Sequence, residues 1–132
     1  MRILIAEDSA LMRRAIVNVV GKLGHEAIEA ENGASAIGTL RKQHEKIGLI
    51  ILDWNMPVMD GYEVLQKVKS DERYANIPVL MATSDGVRDD VIKAIKTGAS
   101  GYIIKPFQPE ELSKRINEIL KAPQKKQSEK TI

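Results

Sequence analysis

Five polar residues, three of them carboxylates, come directly after apolar runs of the sequence. Glu7 and Asp8 follow "RILIA", Asp53 follows "GLIIL", Thr83 follows "IPVLMA" and Lys105 follows "SGYII". An apolar run is typical of a protein interior, where an uncompensated charge is unfavourable. A carboxylate at the end of such a run therefore indicates a functional site. Helix caps or turn residues would explain one or two of these positions but not the whole set.

The three carboxylates suggest a metal site. Carboxylates that crowd together repel one another, and a divalent cation removes that repulsion. The sequence contains no cysteine and two histidines, so the ligands on offer are oxygens, which favours a hard cation. Mg²⁺ fits best, because it takes one or two carboxylates, keeps several waters and commonly completes its octahedron with phosphate oxygens. The acidic residues therefore predict a magnesium site that expects a phosphoryl group.

Lys105 and Thr83 support the same chemistry. A lysine beside the acids can pair with Asp53 in an empty site and with a phosphoryl oxygen afterwards, while a threonine offers a hydroxyl donor. Phosphoryl transfer needs mainly positioning and neutralisation of charge. A carboxylate can itself be the nucleophile, which gives an aspartyl phosphate. Asp53, at the end of the most apolar run, is predicted to be that nucleophile.

Apolar runs and helical patterns alternate along the chain and would position these residues. Strands are predicted at five runs, 2–6, 26–30, 48–53, 77–82 and 100–105. Helical spacing predicts helices over 9–24, over 34–46 with an interruption at Gly38, over 63–70, from Val87 to Gly98, and from about Glu110 onward. Ser9 and Asn32 are predicted N-caps.

Two of these helices have apolar stripes that we expect to be buried. In the first helix the stripe consists of Leu11, Ala15 and Val19, with Met12, Ile16, Val20 and Leu23 beside them. In the fourth helix it consists of Val87, Val91 and Ile95.

The alternation predicts an α/β fold with a flavodoxin-like, doubly wound parallel sheet of five strands and five helices. The run 26–30 is the least apolar and should lie at an edge, which fits the strand order 2-1-3-4-5. In such sheets ligands bind outside the carboxyl ends of the strands, where strands 1 and 3 meet. The three acids follow these two strands, so they should converge.

Composition sets the class of protein. A chain of 132 residues fits one domain, which we place at 1–121, followed by a Lys-rich tail at 122–132. The net charge of +2 and five aromatic residues do not indicate direct binding to nucleic acid. No run approaches the roughly 18 apolar residues of a membrane span, and the first residues do not resemble a signal peptide. We therefore expect a cytoplasmic protein that acts without a membrane.

Four motifs at the strand ends, "ILIAEDS", "LIILDWNMPVMDGYE", "VLMATS" and "GYIIKPF", together resemble the response-regulator receiver domain, and in particular single-domain receivers of the CheY chemotaxis type. The resemblance spans about residues 2 to 121. It implies that Asp53 accepts a phosphoryl group from the phosphohistidine of a sensor histidine kinase. It also implies that Asp8, Asp53 and the Asn55 backbone carbonyl bind Mg²⁺, with Glu7 acting largely through metal-bound water.

The resemblance implies further roles. Thr83 and Lys105 would contact the phosphoryl oxygens, Thr83 and Tyr102 would form a switch in which Tyr102 turns from exposed to buried, and Asn55 and Asp85 would tune the lifetime of the phosphate. The peptide bond before Pro106 would be cis. A receiver of this type is a signalling protein, not an enzyme in the usual sense. Its partners would be the kinase, a downstream target such as the flagellar motor switch, and a phosphatase.

Other functions remain open at this point. A phosphorelay shuttle and a receiver cut from a larger DNA-binding regulator would share the same motifs. A phosphatase of the haloacid dehalogenase type also forms an aspartyl phosphate, but it usually has a second acid where Asn55 stands, and its nucleophile follows the first strand. A flavin or nucleotide carrier would need a phosphate-binding loop after the first strand, and "EDSALMRR" is not one.

Overall fold

A computed structural model describes residues 1–122, so the predicted tail lies outside the described residues from Pro123 onward. Over residues 1–122, strands and helices alternate in the order β1 (Arg2–Ala6), α1 (Ala10–Lys22), β2 (Glu26–Ala30), α2 (Gly33–Gln43), a 3₁₀ turn (His44–Lys46), β3 (Ile47–Leu52), α3 (Gly61–Ser70), β4 (Val79–Thr83), α4 (Arg88–Thr97), β5 (Gly101–Ile104) and α5 (Pro109–Lys121).

The five strands formed by residues 1–122 make one parallel sheet with the order β2-β1-β3-β4-β5. The predicted fold and strand order are therefore confirmed. β1 and β3 are neighbours whose last residues, Ala6 and Leu52, are paired in register. The residues that follow these two strands consequently begin side by side.

The core consists of two layers, one on each face of the sheet. Alternate residues of β3 enter opposite layers, Leu49 and Ile51 on one face and Ile50 and Leu52 on the other. The first layer is closed by Ile16 of α1 and Ile116 of α5, and the second by residues of α2, α3 and α4. β3 is thus covered on both faces, which explains why its sequence is a continuous apolar run.

The predicted stripe of α1 is partly wrong. Ile16, Val19 and Val20 are the buried residues of this helix, whereas Leu11 is 83% exposed and Ala15 is also exposed. The buried face is therefore rotated by about one residue position relative to the line through Leu11 and Ala15. Spacing alone did not distinguish these two adjacent lines of apolar residues, because both have helical period.

The fourth helix buries less than predicted. Its buried residue is Ala94, while Val87, which precedes the helix as its N-cap, is 60% exposed and Ile95 is 46% exposed. Ile92 of α4 and Ile104 of β5 are also exposed, so apolar side chains remain at the surface on both elements.

Element boundaries differ from the prediction by a few residues. Gly38 does not interrupt α2, and residues 44–46, predicted as helix, form the 3₁₀ turn. The predicted N-caps are confirmed, since Ser9 accepts a hydrogen bond from Met12 N–H and Asn32 from Ser35 N–H. Within the described residues, no helix is both long enough and apolar enough to cross a membrane.

Candidate functional site

The acidic residues that follow β1 and β3 converge at the carboxyl end of the sheet. Glu7, Asp8 and Asp53 each offer a carboxylate oxygen within 4.8 Å of the others. Glu7 is 1% exposed and Asp53 is 6% exposed, while Asp8 faces solvent. The three are therefore close enough to share one ion, as the order of elements predicted, and the ion would be reached from the side of Asp8.

Backbone hydrogen bonds continue one residue beyond the strands and hold these positions. Asp53 N–H donates to Ala6 O at 3.0 Å, and Glu7 N–H donates to Ala30 O at 3.0 Å. On the other side of the site, Lys105 N–H donates to Thr83 O at 2.9 Å. The functional residues thus start from the rigid edge of the sheet instead of from free loops.

Lys105 binds two of the carboxylates. Its ammonium group donates to Glu7 Oε1 at 2.5 Å and to Asp53 Oδ2 at 3.1 Å. Burial disfavours the charge on Lys105, but the hydrogen bond to Glu7 and the charges of both acids outweigh it and raise the pKa of Lys105. Lys105 therefore remains a cation that is shared between Glu7 and the predicted nucleophile.

Glu7 is the most deeply buried of the acids. Burial raises the pKa of Glu7, and the hydrogen bonds from Lys105 and from Ser9 N–H oppose that rise. Oε1 accepts from Lys105 and Oε2 accepts from Ser9 N–H at 3.0 Å. Both oxygens are thus engaged within the protein, whereas among residues 1–122 no hydrogen bond or ion pair engages the Asp8 carboxylate.

Thr83, Asp85 and Tyr102 form a connected group beside the acids. Thr83 is fully buried, and its hydroxyl accepts a hydrogen bond from Asp85 N–H at 3.2 Å. The Tyr102 hydroxyl donates to Asp85 O at 2.6 Å. Burial raises the pKa of Tyr102 to about 12, with a further contribution from the Asp85 carboxylate, so the hydroxyl stays protonated and can donate.

Tyr102 is 9% exposed in the structure. The resemblance implied that this side chain turns from exposed to buried; in this conformation it is already buried, and the switch itself stays a prediction. The hydrogen bond to Asp85 O offers a physical reason, because it satisfies the hydroxyl in the buried position.

The comparison with known proteins gives the family. The profile of the family described as "Response regulator receiver domain" matches residues 3–117. The chain belongs to this family. Membership of this family argues against the phosphatase and flavin-carrier alternatives.

Individual relatives cover nearly the whole receiver. A protein named "Chemotaxis protein CheY homolog" from Campylobacter jejuni is 40% identical over 121 residues, which are 91% of this chain and 92% of the relative. Among solved structures, chemotaxis protein CheY4 of Vibrio cholerae superposes with a TM-score of 0.83 at 31% identity, covering 90% of this chain and 98% of that one. The Mn²⁺-bound response regulator Rcp1 superposes with a TM-score of 0.77 at 32% identity, covering 89% and 90%.

The receiver site has a donor set that suits a hard divalent cation. The converging groups are carboxylates. Asn55 lies two residues after Asp53, and the Asn55 N–H donates to Asp53 Oδ1 at 3.2 Å. Oxygen donors of this kind match Mg²⁺. The predicted cis peptide bond is confirmed, between Lys105 and Pro106.

Sequence patterns did not reveal two residues at the edges of the receiver site. Arg13 of α1 donates to the Glu7 carbonyl at 2.7 Å, and Tyr62 of α3 stacks on Trp54 with ring centroids 5.2 Å apart. A basic residue in the helix after the acids is a weak sequence signal for Arg13. We find no sequence signal for Tyr62. Because Trp54 is adjacent to Asp53, its fluorescence should report events at the site.

Gly61 is required where α3 begins. A Cβ atom at this position would overlap the carbonyl of Asp53, and Gly61 N–H donates to Trp54 O at 2.8 Å. We expect Gly61→Ala to displace the backbone at Asp53 and Trp54 and to lower the free energy of unfolding by about 1–3 kcal/mol, the usual cost of overpacking. Urea unfolding measures this change.

Gly38→Ala is the matched control, because the space around Gly38 is open and the residue lies inside α2. Alanine is favoured over glycine inside a helix by about 1 kcal/mol, so this variant should be slightly more stable than the parent. Equal effects of the two substitutions would contradict the close approach at Gly61.

Proposed function

We propose that this receiver accepts a phosphoryl group from the phosphohistidine of a sensor histidine kinase onto Asp53, in the cytoplasm, and signals by phosphorylation-dependent protein binding in chemotaxis. The observation that carries the proposal is the position of Lys105, which bridges Glu7 and Asp53 beside three converging carboxylates. That arrangement provides a nucleophile and a cation at the same point.

The transfer would proceed by displacement at phosphorus. A carboxylate oxygen of Asp53 forms the new P–O bond while the P–N bond to the donor imidazole breaks, and the bonding electron pair leaves with the imidazole nitrogen, which later takes up a proton. Lys105 moves from Asp53 Oδ2 towards a phosphoryl oxygen and neutralises its charge. The Thr83 hydroxyl, already directed at Asp85 N–H, is placed to turn towards another phosphoryl oxygen.

Asp8, Asp53 and the Asn55 carbonyl would hold Mg²⁺, with Glu7 contributing through metal-bound water. The engagement of both Glu7 oxygens supports this division, and the exposure of Asp8 supports direct ligation by that residue. When bound, the cation neutralises charge on the phosphoryl and carboxylate oxygens.

The output would be read on α4, β5 and α5. Ile92, Ile95 and Ile104 expose apolar surface there, and Tyr102 lies beside it. A phosphoryl group would draw Thr83 towards itself and so stabilise Tyr102 in its buried position. A partner that prefers this state would then bind more tightly after phosphorylation. The relative's name supports chemotaxis. We propose the flagellar motor switch as the main target and a phosphatase as a further partner.

Asn55 N–H donates to Asp53 Oδ1 and Asp85 N–H donates to Thr83 Oγ1, which supports a role for both side chains near a phosphoryl group on Asp53. There they would shorten the life of the phosphate by orienting water. We expect Asn55→Lys and Asp85→Leu to slow its hydrolysis by roughly 10-fold to 100-fold, the range that loss of positioning costs. Release of inorganic phosphate from labelled protein measures the rate. Hydrolysis as fast as in the parent in both variants would contradict this role.

The central experiment exposes the protein to acetyl phosphate or beryllofluoride with Mg²⁺ and follows intact mass and Trp54 fluorescence. We expect one phosphoryl group per chain with acetyl phosphate, a fluorescence change with either reagent, and neither effect when the cation is omitted. Phosphorylation that proceeds equally well in a chelator would contradict the proposed site. Turnover of a generic phosphomonoester would contradict the assignment as a signalling receiver without enzymatic turnover of substrates.

A further inference from the structure

Arg13 makes two directed contacts behind the acidic cluster. Its Nη1 donates to Glu7 O at 2.7 Å, and its Nε donates to the Glu29 carboxylate at 2.9 Å. The side chain is 15% exposed, so the guanidinium lies largely against the protein. The two contacts fix both the position and the plane of the group, because the donors of a guanidinium form a rigid fork.

The contacted carbonyl belongs to the peptide group between Glu7 and Asp8. That peptide lies just beyond β1, after the last ladder hydrogen bond from Glu7 N–H to Ala30 O. Glu7 is held by hydrogen bonds to both of its carboxylate oxygens. Asp8 is not held in this way by any group of residues 1–122, so the direction of its carboxylate depends on the backbone.

We propose that Arg13 is a positioning residue that aims Asp8 at the cation by holding the Glu7–Asp8 peptide. This inference rests on the proposed function, since it assumes that Asp8 and Asp53 bind Mg²⁺. Glu29 sets the orientation of the guanidinium and compensates its charge, which would otherwise repel a cation. Partners that orient metal ligands in this way typically change metal affinity 10-fold to 100-fold when they are removed.

Two substitutions separate orientation from charge. Arg13→Lys keeps the positive charge but loses the fork, and Arg13→Met loses both. We expect each to raise the Mg²⁺ dissociation constant by about tenfold, measured by Trp54 fluorescence in the absence of any phosphodonor. Arg14→Lys and Arg14→Met are the matched controls, because Arg14 is the next residue of α1 and is exposed, and they should bind Mg²⁺ like the parent.

A role in stability alone would have a different signature. Far-UV circular dichroism at the titration temperature establishes that each variant is folded. Glu29→Gln leaves the contact between Arg13 and Glu7 O available, so it should weaken Mg²⁺ binding less than either Arg13 variant. At saturating Mg²⁺ the rate of phosphorylation by acetyl phosphate should return to the parent value, because the change lies in cation affinity and not in Asp53.

Each other outcome overturns the inference. Parent-like affinity in Arg13→Lys would show that the fork is not needed, and tighter binding in Arg13→Met would show that charge repulsion dominates. If the loss of Mg²⁺ binding in an Arg13 variant equals the fraction of that variant that is unfolded, Arg13 has a structural role only. If the parent itself gives no Mg²⁺-dependent signal, the proposed cation site fails first, and the inference fails with it.

Discussion

Asp53→Asn should abolish phosphorylation of the receiver by acetyl phosphate and the accompanying change in Trp54 fluorescence. The amide oxygen is a poor nucleophile, and the substitution removes the carboxylate that Lys105 binds at 3.1 Å. Asparagine has nearly the same shape, so the buried position of this residue should be preserved. Intact mass and fluorescence in the presence of Mg²⁺ measure the loss, which should be complete within detection.

Asp89→Asn is a suitable control, because Asp89 is an exposed acid in the first turn of α4 and is not part of the cluster. It should accept a phosphoryl group at the parent rate. Lys105 keeps its ion pair with Glu7 in this variant, and removal of one carboxylate reduces repulsion among Glu7, Asp8 and residue 53. Unphosphorylated Asp53→Asn should therefore be no less stable than the parent. A phosphoryl group found on Asp53→Asn would place the acceptor elsewhere.

Lys105→Met should reduce both stability and the rate of phosphorylation. The side chains of Lys105, Glu7 and Asp53 are 13%, 1% and 7% exposed, so the substitution leaves two buried carboxylates without their cation. Breaking a buried ion pair by removing one partner costs about 3–5 kcal/mol. Loss of a group that stabilises charge in the transition state should slow phosphorylation by roughly 10²-fold to 10³-fold.

The stability defect of Lys105→Met should depend on pH. Burial raises the pKa of Glu7, and the hydrogen bond from Lys105 opposes that rise, so removing Lys105 raises the pKa further. A carboxyl group whose pKa is higher in the folded protein than in the unfolded chain favours folding at low pH, and this contribution is lost as the pH rises through the raised pKa. The defect should therefore be smaller in acidic buffer than at neutral pH.

Mg²⁺ provides a second check of the same explanation. A cation that replaces the missing ammonium should raise the unfolding temperature of Lys105→Met more than that of the parent. Lys67→Met, which changes an exposed lysine of α3, should alter neither stability nor the response to Mg²⁺ appreciably. Equal stabilisation of Lys105→Met and the parent by Mg²⁺ would contradict the explanation that the substitution leaves the acids without a compensating charge.

The sequence by itself determined the fold and the convergence of the three acids. Apolar runs of strand length alternate with helical patterns, and parallel strands place their carboxyl ends on one edge, so residues that follow those runs must meet there. Glu7, Asp8 and Asp53 follow two neighbouring strands and therefore lie together. The same local periodicity was ambiguous for α1, where two adjacent lines of apolar residues had helical spacing and the buried one did not include Leu11.

Only the tertiary structure decided which hydrogen bonds the site residues form with one another. Lys105 and Glu7 are 98 residues apart in sequence, and their hydrogen bond depends on how both side chains cross the edge of the packed sheet. The buried position of Tyr102 and the contact of Arg13 with the Glu7 carbonyl are decided in the same way. Local pattern specifies which face or edge a residue occupies, whereas the choice of partner among neighbouring polar groups depends on distances of a few tenths of an ångström that arise when all the elements pack together.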